Sequence, residues 1–279
     1  MKSIFQLSAL VSTVSATGIL LPLYIYPSLN FRDNASFWQP GFAAIEANPG
    51  VSWQVVIDPN DGPGNSGLPG DNDDNYKYGV NRLNGYRTSG QRNLTITGYV
   101  HVNYSVIPEE AVRNNITIWN SWSTDTAEDV SVQGIFFDES PISADNFTYM
   151  NDLISFARST FVNPITVICN FGNIPAEEYY SICDIAIAFE SGLNLPSGNP
   201  YRNQTTIDDR IPNVSLRPRS AILVHDYNGT TVDGQPADET TLASYIHTLK
   251  ANNVGWTYFV TGPYKNFTTP PADIGTLAR

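Results

Sequence analysis

The sequence predicts a single-domain (β/α)8 barrel, an α/β fold, on three observations. Eight short apolar runs, rich in β-branched and aromatic residues, alternate with segments of helical character. Such runs joined by helical crossovers describe parallel strands buried on both faces. The chain has 279 residues, a length that a barrel accommodates as one unit. The alternative is an open doubly wound sheet. That fold ordinarily carries a Gly-rich phosphate turn after its first strand, and YIYPSLN (24–30) is no such turn.

In chain order the expected strands are ILLPLYIY (19–26), SWQVVID (52–58), LTITGYVH (94–101), VQGIFFDE (132–139), PITVICN (164–170), DIAIAFE (184–190), RSAILVHD (219–226) and VGWTYFV (254–260). Helices are expected over FAAIEAN (42–48), NYKYGVNRL (75–83), PEEAVRNNITIW (108–119), DNFTYMNDLISFARS (145–159), PAEEYYS (175–181) and DETTLASYIHTLKA (238–251). Pro108 before Glu109 and Glu110, and Pro175 shortly before Glu177 and Glu178, mark helix starts with acids in the first turn. The stretch PNDGPGNSGLPG (59–70) is rich in Gly, but it is loaded with Pro and acid and lacks Lys. It reads as a mobile loop and not as a nucleotide cradle.

Charge narrows the partners. The formal net charge is −12, which argues against nucleic acid, whose binding rests on Lys and Arg meeting phosphates. The N-terminus MKSIFQLSALVSTVSA has a basic residue, an apolar stretch and the small-residue site Val14-Ser15-Ala16, so residues 1–16 read as a signal peptide ahead of a domain at 17–279. No later run is long enough to cross a membrane. Sequons at Asn34, Asn93, Asn103, Asn115, Asn146, Asn203, Asn213, Asn228 and Asn266 make an N-glycosylated, secreted or cell-surface protein the favoured reading. A monomer is expected.

The two cysteines are Cys169, ending the fifth run, and Cys183, just before the sixth. An even count in a secreted chain first suggests a disulfide. In parallel neighbours, however, the end of one strand and the start of the next lie at opposite edges of the sheet. About five residues at roughly 3.3 Å each exceed the ~7 Å bridging limit. Two unbridged, buried thiols are the expectation.

Polar residues collect where the runs end. Tyr24 and Tyr26 end the first, Asp58 and Asn60 the second, His101 and Tyr104 the third, Asp138 and Glu139 the fourth, Asn170 the fifth, Glu190 the sixth, and His225, Asp226 and Tyr227 the seventh; the eighth carries Trp256. Strand C-termini converge on one mouth of a barrel, where such folds place their sites. Asp138, Glu139 and Glu190 each follow directly on an apolar run. Side chains alternate along a strand, so only one of Asp138 and Glu139 is expected to face the centre of the mouth. A carboxyl pair amid aromatics is what glycosidic chemistry needs: one donates a proton to the leaving oxygen, while the other attacks the anomeric carbon or activates water. Spacing along the sequence does not choose between retention and inversion. Two other site types fit less well. A Mg²⁺ or Ca²⁺ site on Asp58, Asp138 and Glu139 lacks a ligand-spacing motif, and a Ser-His-Asp hydrolase lacks its G-x-S-x-G elbow. No cofactor or metal is expected.

Five motifs in order, LLPLYIYPS (20–28), VVIDPNDGPG (55–64), GYVHVNY (98–104), GIFFDE (134–139) and DIAIAFE (184–190), resemble the spherulin-4 family of fungal and slime-mould cell-surface proteins, over about residues 19–262. The resemblance implies a (β/α)8 barrel of the kind found in glycoside hydrolase family 135, whose members cleave α-1,4-linked N-acetylgalactosamine in galactosaminogalactan, a partly deacetylated and therefore cationic polymer. It implies that Asp138, Glu139 and Glu190 occupy the family's three acidic cleft positions. Asp138 is then the nucleophile, Glu190 the general acid/base and Glu139 electrostatic support. From their places at the strand ends, Tyr24, Tyr26, Asp58, Asn60, His101, Tyr104, Asn170, His225, Tyr227 and Trp256 are expected to bind the glycan. Two positions depart from the family pattern: Asp58 stands where Asn is expected, and Asn170-Phe171-Gly172 where Asn-Pro-Gly is expected. A glycan on Asn103 would sit near the rim. A non-catalytic wall or spore-coat protein that only holds glycan is the alternative from another functional class.

Overall fold

The computed structural model describes residues 17–89, 93–195 and 198–263. The signal-peptide segment, the Asn266 sequon and the C-terminal tail lie outside them. Eight parallel strands close into a barrel in sequential order: β1 (Gly18–Leu23), β2 (Ser52–Ile57), β3 (Asn93–His101), β4 (Gly134–Asp138), β5 (Thr166–Asn170), β6 (Ile185–Gly192), β7 (Ser220–His225) and β8 (Trp256–Phe259). All eight expected runs are strands. They are nearly continuous in burial because barrel side chains fill the interior on one face and meet the helices on the other.

The outer layer holds α1 (Gln39–Ala47), α2 (Asp74–Thr88), α3 (Glu109–Ser121), α4 (Phe147–Thr160), α5 (Gln204–Arg210) and α6 (Glu239–Ala251). Asp73 caps α2 by accepting from the N–H groups of Asn75 and Tyr76, and Asp238 caps α6 by accepting from that of Thr241. Pro108 precedes α3 with Glu109 and Glu110 in its first turn, as read from the sequence. Helix α3 packs tightly because Gly98 has no side chain: a Cβ there would lie 2.3 Å from the ring of Trp119. The Trp119 indole N–H then donates to the Tyr99 carbonyl at 2.7 Å.

Two expectations are corrected. PAEEYYS forms only a 3-10 turn, Glu177–Ser181, and α5 was not anticipated. The 3-10 turn's hydrogen bonds span three residues, from Tyr179 N–H to the Ala176 carbonyl and from Ile182 N–H to the Tyr179 carbonyl, both at 3.1 Å, and the bend at Asp184 leads into β6 before an α-helix can form.

The second correction concerns the cysteines. Cys169 and Cys183 are bridged, with Cα atoms 6.0 Å apart. The expectation of free thiols assumed that neighbouring strands start level. Instead β6 starts late, with Ile185 opposite Ile168. An extended Cys183 would still lie level with Thr166, about 10 Å along the strand from Cys169. It ends the preceding turn instead, its N–H donating to the Tyr179 carbonyl at 2.9 Å, and the bend at Asp184 brings it back over β5. Removing both thiols (Cys169→Ser with Cys183→Ser) is expected to cost about 3 kcal/mol, the chain-entropy value for so short a loop. Urea unfolding measures it, and an unchanged midpoint would show that the bridge is not stabilising.

Candidate active site

A cleft of about 750 Å³ opens at the C-terminal ends of the strands. Pairing register explains which side chains enter it. Tyr99 lies opposite Phe136 and His101 opposite Asp138, so these four share the inward face. The Tyr99 and Phe136 rings stack at 5.8 Å, and Tyr24 meets Tyr99 edge-on at 5.6 Å. These aromatics form the floor beneath the acids.

Both Asp138 and Glu139 line the cleft, contrary to the expectation from strand alternation. β4 ends at Asp138, and Glu139 takes a left-handed backbone (φ 51°) that turns it back toward the mouth. A side chain in that region costs about 1 kcal/mol or more. Backbone bonds hold the turn: Val102 N–H donates to the Asp138 carbonyl at 3.1 Å and Tyr104 N–H to the Glu139 carbonyl at 2.7 Å. The Glu139 carboxylate lies 2.6 Å from His101 Nε2.

Glu190 arrives by another irregularity. Ile187 is opposite both Asn170 and Ala221, while Glu190 is opposite Leu223, and the β6–β7 register slips by one residue between Ile187 and Phe189. The slip lets Ile187 and Glu190 share the inward face although they are three residues apart.

One amide joins the two acids. Asn170 Nδ2 donates to Asp138 Oδ1 at 2.7 Å and also to Glu190 Oε2. The nearest oxygens of the pair are therefore at most about 6 Å apart, two hydrogen-bond lengths. Tyr99 Oη donates to Asp138 Oδ2 at 2.5 Å. Burial, then the neighbouring Asp138 charge, pushes Glu190 up to about 7. Burial also raises Asp138, against the donors Tyr99, Asn170 and the Glu139 N–H. Asp58 is pushed up to about 7, first by burial and then by the charges of Asp61 and Asp138, against a hydrogen bond from Gly62 N–H.

Of the residues read from the sequence, Tyr24, Asp58, Tyr104, Asp138, Glu139, Asn170, Glu190 and His225 line the cleft. His101 stands one step behind, on Glu139. The others are elsewhere. Tyr26 is tied to Asp73 and Asn75, and Asn60 bonds Asn65 within its own loop. Tyr227 is buried against Phe259 and donates to the Asp238 carbonyl. Trp256 opens β8 opposite Gly18 and Ala221, at the far end of the barrel from the mouth; its run was correctly read as a strand, but its place within the strand was not. The residues missed include Asp61, Phe171, Asn173 and, above all, Tyr99. Tyr99 could have been found, since it lies two residues before His101 on the same face of β3. Among the described residues, no three His, Cys, Asp or Glu side chains converge as they would on a metal ion.

The model of the spherulation-specific family 4 matches residues 18–278. The chain belongs to this family. Spherulin-4 of Physarum polycephalum is 29% identical over 180 residues, a match spanning 63% of this chain and 46% of that protein. Among solved structures, this family member is similar to Aspergillus clavatus Sph3 in complex with GalNAc (TM-score 0.73, 24% identity, 95% of this chain and 96% of that one). It is also similar to a Bacteroides thetaiotaomicron chitinase (TM-score 0.54, 8% identity, 95% and 96%) and a Ruminococcus gnavus β-glucuronidase (TM-score 0.53, 11% identity, 95% and 49%). At these identities the likeness establishes the barrel fold that the spherulation family member shares with them.

The raised acids imply a stability trend. Glu190 binds its proton more tightly folded than unfolded, so its contribution is fully present below the unfolded carboxyl range and is lost as pH rises toward about 7. Glu190→Gln is therefore expected to raise the melting temperature at pH 8 and to change it little at pH 4.5. Thermal melts of both proteins at the two pH values check this; an equal effect at both would place the cause outside titration.

Proposed function

We propose that the chain is a secreted, endo-acting glycoside hydrolase that cleaves an amino-sugar polysaccharide, the α-1,4-linked N-acetylgalactosamine and galactosamine of galactosaminogalactan. The observation that carries this reading is the pairing of Asp138 and Glu190 through one amide, which holds their nearest oxygens closer than the ~6.5–9.5 Å of inverting glycosidases and so favours retention. Asp138 attacks the anomeric carbon, and Glu190 gives its proton to the leaving oxygen. The glycosyl–Asp138 ester then forms, Glu190 takes a proton from water, and that water displaces Asp138. In an α-linked sugar the 2-acetamido group lies on the same side of the ring as the leaving oxygen. It cannot attack from the opposite face, so the protein supplies the nucleophile.

The substrate class has its own support. Five carboxyl groups line the cleft, from Asp58, Asp61, Asp138, Glu139 and Glu190, and among the described residues no Lys or Arg does. Such a surface disfavours uronates and suits a polymer bearing ammonium groups. Tyr104, exposed at the rim, offers a ring face to a sugar. Secretion rests on the N-terminal segment and the sequons. Among the described residues, no helix is long and apolar enough to cross a membrane.

The test is product release from galactosaminogalactan by the purified protein, sized by mass spectrometry, with the anomer of the first product read by NMR. The wild type is expected to release oligosaccharides with retention, and activity should fall as pH rises through about 7 and Glu190 loses its proton. Glu190→Gln should lose about 10²–10⁴-fold, and Asp138→Asn more. A folded wild type that binds the polymer and releases nothing would replace this reading with that of a glycan-holding coat protein.

A further inference from the structure

We propose that Tyr99 and Asn170 are positioning residues, a hydrogen-bond clamp that fixes the spacing of Asp138 and Glu190 and keeps Asp138 the anion of the pair. Its kinetic consequences rest on the hydrolase reading above; the clamp itself rests on geometry.

Asn170 was expected to bind glycan, but its hydrogen-bonding groups are already engaged. An amide nitrogen has two hydrogens. Those of Asn170 go to Asp138 Oδ1 and Glu190 Oε2, and its Oδ1 accepts from Gly172 N–H at 3.0 Å. No donor remains for a sugar hydroxyl. Tyr99 is buried, its ring held between Phe136 and Tyr24, and its phenol donates to Asp138 Oδ2. Desolvation, then the Asp138 charge, keeps that phenol protonated, so toward Asp138 it is the donor.

Two carboxyl groups this close do not both ionise readily, and their titration is coupled. The donors decide which one holds the proton. Asp138 accepts from Tyr99, Asn170 and the Glu139 N–H, whereas among the described residues Glu190 accepts from Asn170 alone. The other groups around Asp138 are Tyr24 from the β1 end, Asp58 and Asp61 from the β2 end, His101 and Tyr104 from the β3 end, Glu139 beside it, and His225 from β7. The side chains seen to donate to Asp138 are Tyr99 and Asn170. Tyr99 and Asn170 thus supply the asymmetry that a nucleophile and an acid require.

The experiment compares wild type, Tyr99→Phe and Asn170→Ala. Tyr99→Phe keeps the ring and its stacking, so its melting temperature should stay near that of wild type. Losing a donor to the anion raises the Asp138 pKa, so the acidic limb of kcat/KM should move up by about one pH unit or more. Asn170→Ala should lower kcat about 10²-fold or more with KM little changed, as misplacement of reacting groups does. A raised KM with kcat intact would make Asn170 a substrate ligand and overturn its role, and an unmoved acidic limb in Tyr99→Phe would overturn that of Tyr99. A readout independent of activity is ¹³C NMR titration of the carboxyl groups, with the Asp138 signal assigned by its loss in Asp138→Asn. Asp138 should titrate at higher pH in Tyr99→Phe than in wild type. That shift in a protein inactive on galactosaminogalactan would sustain the clamp and discard the substrate; no shift would discard the clamp whatever the activity.

Discussion

Closure of β8 onto β1 is the constraint on which the rest of the molecule depends. The seam is short: Gly18 lies opposite Trp256 and Ile19 opposite Thr257. It forms because Gly18 has no side chain, since a Cβ there would sit 2.5 Å from the Trp256 ring. A second glycine, Gly255, lets the chain enter β8 against Pro218, whose carbonyl oxygen would lie 2.0 Å from a Cβ. The Gly18 N–H also donates to the Gly255 carbonyl at 2.8 Å. Once the sheet is closed, strand ends that would fan apart in an open sheet converge. Tyr24, Asp58, Asp138, Asn170, Glu190 and His225 then line one cleft from six different strand ends. Trp256 belongs to the seam and not to the mouth.

The mouth concentrates terms that oppose folding. Left-handed backbone occurs at Tyr104, Glu139 and Asp226, immediately beyond or close after three strand ends. Carboxyl groups crowd into partly desolvated positions that raise Glu190, Asp138 and Asp58 together. Such strain persists only where the surroundings over-determine it. Here those surroundings are a closed barrel with an aromatic floor, the Cys169–Cys183 bridge behind β5 and β6, and backbone bonds such as Asp226 N–H to the Gly262 carbonyl at 3.1 Å. A surface that merely held glycan would gain nothing from raising Asp138 and Glu190 side by side. The distribution of strain therefore supports a reactive centre more than an adhesive one.

Much of this was legible in the sequence, because a barrel strand leaves a local signature. Each run from ILLPLYIY to VGWTYFV is buried on both faces, so composition alone marks it. The mouth was legible for the residues that end a strand, such as Asp58, Asn170 and His225. It was misread where position within a strand mattered. Trp256 is an aromatic in an apolar run like Tyr24, but it stands at the start of β8 and not past the end of its strand. The disulfide was missed for a related reason: the distance argument took the chain before β6 as extended, whereas it ends a turn at Cys183 and bends at Asp184, and no residue near Cys183 announces this. Tyr99 was hidden among apolar neighbours, because a phenol on a buried strand looks like core until its partner, Asp138, is placed.

The three acids come together through departures from strand regularity. A regular pleat cannot turn adjacent residues to one side, so Asp138 and Glu139 share the cleft only because β4 stops and Glu139 enters the left-handed region. A regular β6 with Ile187 inward would turn Glu190 outward, toward the helices. The slip between Ile187 and Phe189 reverses that parity and leaves Glu190 opposite Leu223, on the face that also carries His225. Both devices act on backbone, and Asn170 then ties their products together with one amide. An uninterrupted β6 would leave the barrel intact and Asp138 without its partner, so the fold alone does not confer the pair. The irregularities in β4 and β6 do.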